Sequence, residues 1–210
     1  MFATLRQRDF GLLWIAGLIS ITGDFAFTIA LPLHVYRLTD STLATAGAFA
    51  ANLVPGVLLG SFAGVFVDRW DRKRIMVVTD LARALLLLPL LLGPDHLALL
   101  YSVAAVQGTL GLFFVPAEGA LLPTLVGDEQ LVSANALTSL SQNLGMLIGP
   151  ALGALLYAQV GHGGAELVDA ASYVGSALLI GLIAADARPA RAAAQAAGSA
   201  WTRMLADWRD

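Results

Sequence analysis

The residue with the most chemical potential is Asp24, which lies inside the long apolar stretch 10–36. It comes about fifteen residues into that stretch, roughly 20 Å along a helix axis and close to the middle of a bilayer. A carboxylate at that depth costs at least about 2.5 kcal/mol on insertion scales, so it must be protonated, paired or facing a wet cavity. It could accept a proton or balance a cationic ligand; it could also be tied into a helical bundle by hydrogen bonds or face an outer vestibule. Asn52, Gln142 and Asn143 are further polar residues in apolar stretches, able to line a cavity or to bond between helices. Asp80 and Arg83 are three residues apart, a spacing that places both on one helical face and suits a structural ion pair near the cytoplasmic end. Glu118 is expected to pair with a basic cytoplasmic loop, and Asp169 to hydrate or cap a helix end.

Other chemistries find no support. The chain contains no G-x-S-x-G, no H-E-x-x-H and no GxxxxGK[ST], which points away from an enzyme. His34, His96 and His162 are scattered without metal-ligand spacing, and cysteine is absent, so neither a metal nor a cofactor is implied. The basic residues cluster at segment ends rather than along one face, which gives no nucleic-acid footprint.

These polar residues need a scaffold, and the run GSFAGVFVDRWDRKR (60–74) locates one of its edges. An apolar segment gives way to six charges within the seven residues 68–74, a change that marks a membrane interface. Four of those charges are Lys or Arg, which places the loop in the cytoplasm. Overall the chain is 58% hydrophobic and 13% charged, against roughly 45–50% and about 25% in soluble domains.

Apolar segments run over 10–36, 43–67, 75–92, 97–116, 131–160 and 167–185, separated by turn-forming residues such as those at 39–41, 93–95, 127–129 and 161–164. Each nears or exceeds the roughly 20 residues of a membrane-crossing helix. Strand alternation is missing, so the expectation is an all-α membrane protein with six transmembrane helices in residues 1–186. The first segment is too long for a signal-peptide core and should stay in the protein. With the N-terminus inside, ten of the twelve basic residues fall on the cytoplasmic side; Arg37 lies outside and Arg83 within the third span. Both termini are then cytoplasmic. The loop at Asp128 and Glu129 has no basic residue to support that side.

Gly56, Gly60 and Gly64 in the second segment and Gly145, Gly149 and Gly153 in the fifth share one spacing. Small residues repeated every fourth position form a stripe that lets a neighbouring backbone come close. The second and fifth helices occupy equivalent places if the six spans are two inverted three-helix repeats.

The segment from Gly64 through Asp68, Arg69, Arg72, Lys73 and Arg74 resembles the signature loop of the major facilitator superfamily, with Asp71 where glycine is usual. Leu31-Pro32 to Ser41, Asp80 to Arg83, Pro116 to Pro123, Ala134 to Leu137 and Asp169 to Ser172 resemble the branch that includes siderophore and macrolide exporters. The resemblance implies the N-terminal six-helix half of a transporter, with 187–210 as the start of a central cytoplasmic linker. Inverted 3+3 repeats are a known property of that superfamily, so the duplicated glycines agree with it and do not establish it independently. The resemblance further implies alternating access, a small-molecule substrate, and a conformational latch built from Gly64, Asp68, Arg69, Arg72, Lys73 and Arg74 that closes on a C-terminal half or a second copy in the cell membrane. Many antiporters of this kind carry an arginine three residues before a Gln-Gly pair; here Ala104 precedes Gln107-Gly108, which removes proton coupling through that arginine. A non-transporting membrane scaffold is the reading from another class.

Overall fold

The computed structural model describes residues 2–67, 70–92 and 95–185, the side chains of 2, 3 and 61–66 excepted. Asp68, Arg69 and the expected linker at 187–210 lie outside the described residues. The described elements are a short turn of helix α1 (Phe2–Leu5), the helices α2 (Arg8–Thr39), α3 (Thr42–Val67), α4 (Arg72–Leu92) and α5 (Leu97–Leu125), a 3₁₀ turn (Asp128–Gln130), and α6 (Leu131–Gly181). No strand occurs among the described residues. Among the described residues five helices are long and apolar enough to cross a membrane.

Local chemistry explains the ends. Asp40 takes a left-handed conformation (φ 51°) and returns its N–H to the carbonyl of Tyr36, closing α2. Ser41 then accepts from the Ala44 N–H at 3.3 Å as α3 begins. Asp71, in the place where the superfamily usually has glycine, accepts from the Arg74 N–H at 3.1 Å and caps α4. The fourth apolar segment continues beyond 116 through Pro116 and Pro123 to Leu125. Proline is tolerated inside membrane helices because neighbouring groups satisfy the freed carbonyls.

The expected fifth and sixth spans fall within one element. α6 is broken at Gly161, whose φ of 72° no side chain-bearing residue adopts easily. Contacts with α2 show that the chain reverses there. Along the first arm, Gln7 bonds to Gln130, Trp14 to the carbonyl of Leu137, and His34 to Tyr157, always 123 residues apart. A constant offset from Gln7 to His34 means two parallel helices in register over about 40 Å. On the second arm the order inverts: His34 stacks on His162, Asp24 bonds to Tyr173, and Asp9 accepts from the N–H groups of Ala184 and Ala185. α3 and α5 form a second parallel pair, joined by Tyr101 Oη to the carbonyl of Ala44 and Asn52 Nδ2 to the carbonyl of Ala104.

Among the described residues four apolar clusters fill the bundle, and two of them are the largest. One gathers Phe27, Leu31, Leu87, Leu90, Leu100 and Val103; the other gathers Leu13, Met76, Phe114, Leu121 and Ile180. Between them four of the packed helices contribute polar residues: Asp24 from α2, Asp80 and Arg83 from α4, Gln107 from α5 and Ser176 from α6. This belt lies at mid-length in α2, and it is where the chemistry concentrates.

Candidate functional site

Arg83 is the centre of the belt. Its guanidinium is buried, with Nη2 2.9 Å and Nη1 3.3 Å from the two carboxylate oxygens of Asp24. The planar fork thus meets Asp24 with two donors, the geometry in which an Arg–carboxylate pair is strongest. Tyr173 donates its hydroxyl to Asp24 Oδ1 and lays its ring 4.6 Å beneath the guanidinium carbon. Gly111 makes the room: a Cβ there would lie 3.1 Å from Arg83 Nη2.

The expected pairing of Asp80 with Arg83 is corrected. Among the described residues no ion pair joins them; Arg83 reaches across to α2, where the partly exposed Asp24 carboxylate meets its fork with two oxygens and the Tyr173 ring lies beneath it. Asp80 is left fully buried, facing the Ser176 hydroxyl of α6 and in no ion pair among the described residues. Two further expectations change. Asp169 is buried rather than hydrated at a helix end, with Oδ1 bonded to Ser172 and Oδ2 unpaired. Its room comes from Gly23, whose absent side chain would collide with Asp169 and Ser172. Glu118 turns into the bundle toward Gly17, 3.0 Å from the position of a Cβ there, and makes no ion pair among the described residues.

Two cavities meet at the Asp24–Arg83 pair. A smaller one of about 50 Å³ extends toward the start of α2 and is lined by Gly17, Ser20, Glu118, Ser141 and Gln142. A larger one of about 290 Å³ extends the other way, past Thr28, Asn52, Gln107 and Tyr173. Asp24 and Arg83 line both. The pair therefore partitions the interior. Asn52 lines the larger cavity and Gln142 the smaller, while Asn143 is exposed and its Nδ2 donates back to the Ser139 carbonyl.

The basic loop divides its labour. Lys73 Nζ donates to the carbonyls of Gly181 (2.8 Å) and Ile183 (2.6 Å), neutralising the C-terminal end of α6. Arg74 pairs with Asp71 at 3.6 Å on the exposed side. Arg72 heads α4 with its Nε buried and unpaired. Of the remaining latch candidates, Gly64 is helical, within α3.

The histidines are not all scattered. His34 and His162 stack with ring centroids 4.3 Å apart, His34 bonds to Tyr157 at 3.1 Å, and His162 bonds to Glu166 at 3.5 Å. The reversal at Gly161 creates this contact. The offset that pairs Gln7 with Gln130 would have placed His34 beside Tyr157, had the parallel register been assumed; nothing in spacing alone would have found Tyr173 or Gly111.

The described helices form a bundle of membrane-spanning length whose central ion pair lies between two cavities, the architecture of a multi-pass membrane protein. The family profile of the Major Facilitator Superfamily matches residues 13–210, and the chain belongs to that superfamily. An uncharacterized MFS-type transporter of Bacillus subtilis, YfiS, is 32% identical over 101 residues, covering 48% of this chain and 24% of its own length. An uncharacterized MFS-type transporter of Mycobacterium tuberculosis, Rv0037c, is 47% identical over 45 residues, covering 21% of this chain and 10% of its own. The similar region thus spans about a quarter or less of each relative.

Proposed function

We propose that this chain forms the N-terminal half of a secondary active transporter that exports an amphipathic small molecule of the drug or siderophore type by alternating access. The two arms of α6 serve as the fifth and sixth spans, the six spans form two inverted three-helix repeats, and the bundle works against a C-terminal half or a second copy. The carrying observation is the Asp24–Arg83 pair between two cavities at mid-bundle. A charged pair there is expensive unless it is used, and its carboxylate is only partly covered. Asp24 is the counter-charge for a cationic substrate, and Asn52 and Gln142 line its route. Export rather than uptake rests on the motifs at 31–41, 80–83 and 116–123. The protein lies in the cell membrane with both termini cytoplasmic, as its basic residues suggest. Gly64, Asp68, Arg69, Arg72, Lys73 and Arg74 form the latch that closes on the partner half, and Lys73 also secures α6.

The test is efflux of tetraphenylphosphonium from cells expressing the full-length protein. Asp24→Asn should abolish export while leaving the protein in the membrane. Unchanged export by that variant would remove Asp24 from the mechanism, and no export by the wild type would favour a scaffold.

A further inference from the structure

A second group of titratable side chains gathers at the end of the bundle opposite the basic loop, where α6 turns back at Gly161. The rings of His34 and His162 stack there, with centroids 4.3 Å apart and planes at 33°. His34 thereby touches both arms of α6, since its Nδ1 also bonds to Tyr157 Oη at 3.1 Å. Arg37 lies 4.9 Å over the Tyr157 ring and brings a fixed positive charge to the same corner. Two carboxyl groups face the rings. Asp95, just ahead of α5, has Oδ1 3.9 Å from His34 Nε2 and acts on His162 as well; Glu166, one turn along the second arm, has Oε2 3.5 Å from His162 Nδ1. α4 reaches the corner through Leu91, which packs near Gly163. His34, Tyr157 and Glu166 are buried, so charges placed among them are screened little by solvent. Gly161 has open space around it, with nothing within 4 Å of the position of a Cβ. The first arm, by contrast, is pinned to α2 where Gly153 lies against the Ala26 backbone without room for a side chain.

We infer that the His34–His162 stack is a pH-operated fastening, which holds the start of the second arm of α6 against α2 while at most one ring is protonated and parts when both are. Neutral rings stack, and a first proton leaves a single charge with Asp95 close by. A second proton puts two imidazolium ions face to face at 4.3 Å, with Arg37 as a third positive charge beside them. Solvent supplies both protons, each taken up by a lone pair on a ring nitrogen. On parting, neither ring is left without a partner. His162 keeps Glu166 on its own arm, and His34 keeps Asp95 and the Tyr157 hydroxyl. The joint is Gly161, and the movement belongs to the second arm because the Gly153 seam holds the first. The contact is whole at neutral pH and is lost as the pH falls through the histidine range, about 6.5 and below. In the proposed orientation this corner faces outside the cell. Its response needs neither Asp24 nor a substrate, so it stands or falls apart from the export reading.

The experiment measures two distances in detergent-solubilised full-length protein, with spin labels on exposed positions. Leu38→Cys with Leu167→Cys spans α2 and the second arm of α6; Leu38→Cys with Val160→Cys spans α2 and the first arm. As the pH is lowered from about 8 to about 5, the first separation should lengthen, with its midpoint at or below about pH 6.5, and should recover on neutralisation. The second separation should stay the same. His162→Phe keeps a flat ring for the stack and takes no proton; it should preserve the neutral-pH distance and lose the response. His34→Phe, the same change on the other side of the stack, should lose it too. A first separation that does not respond to pH in the otherwise unaltered protein overturns the inference, as does the same lengthening in His162→Phe. Equal lengthening of both separations also overturns it, because the joint would then not be Gly161. Should His162→Phe fail to fold, His34→Phe and the two distances in the otherwise unaltered protein still decide.

Discussion

The two parallel helix pairs of the bundle carry the same glycine spacing and are built differently. Where α6 crosses α2, a side chain at Gly149 would strike Thr22 and Phe25, and one at Gly153 would strike the backbone of Ala26. The helices there touch backbone to backbone. Where α3 crosses α5, Gly56 is an ordinary 3.6 Å from a Leu112 methyl and Gly60 has nothing within 4 Å. Close approach at that crossing comes instead from Gly108 of α5, whose missing side chain accommodates the Asn52 carbonyl. The first crossing is a seam; in the second, α3 leans on its neighbour and keeps Leu43 and Val57, 82% and 78% exposed, on its outer face. A small-residue stripe announces that something can come close, without saying whether it has.

Three substitutions grade the difference, beginning with the largest expected effect. Gly149→Leu forces the seam apart and should cost on the order of 3 kcal/mol or more, seen as a fall of about 6–12 °C in Tm in detergent. A Tm within about 2 °C of wild type would mean that the seam yields easily and the contrast is unreal. Gly108→Ala presses on the Asn52 carbonyl and should cost about 1–3 kcal/mol, disturbing the 3.3 Å bond from Asn52 to Ala104. Stability equal to wild type would show that α3 can shift without penalty. Gly60→Ala should leave stability level or raise it by up to about 1 kcal/mol, because it removes a helical glycine from open space. If it destabilises as much as Gly108→Ala, α3 is held more tightly than its contacts show; if stability holds while export falls, its open face has a partner.

Much of this was legible in the sequence, for physical reasons. Hydropathy found the long apolar helices because lipid tolerates little else, and the change of character at residue 68 coincides with the end of α3 at Val67. Asp24 was legible because a lone carboxylate in an apolar run demands a partner. What partner it would take was not. Arg83 is 59 positions away, and the i, i+3 rule favoured Asp80 because local spacing ignores what a long guanidinium can reach across a bundle. Asp169 and Glu118 were assigned to helix ends because linear position says nothing of the room Gly23 and Gly17 leave for them. The turn at Gly161 was read as a loop of several residues, and a single left-handed glycine sufficed.

The hydrogen bonds around residues 181–185 have a mechanical meaning. Lys73 grips the carbonyls of Gly181 and Ile183 from one side, and Asp9 grips the amides of Ala184 and Ala185 from the other. Residues 181–185 are thereby clamped to the feet of α2 and α4, like a cable held in a strain relief. Tension from beyond residue 185 is therefore borne by the feet of α2 and α4 before it can unwind α6. These four bonds tie the last turn of the helix that carries Tyr173 to two other helices at once.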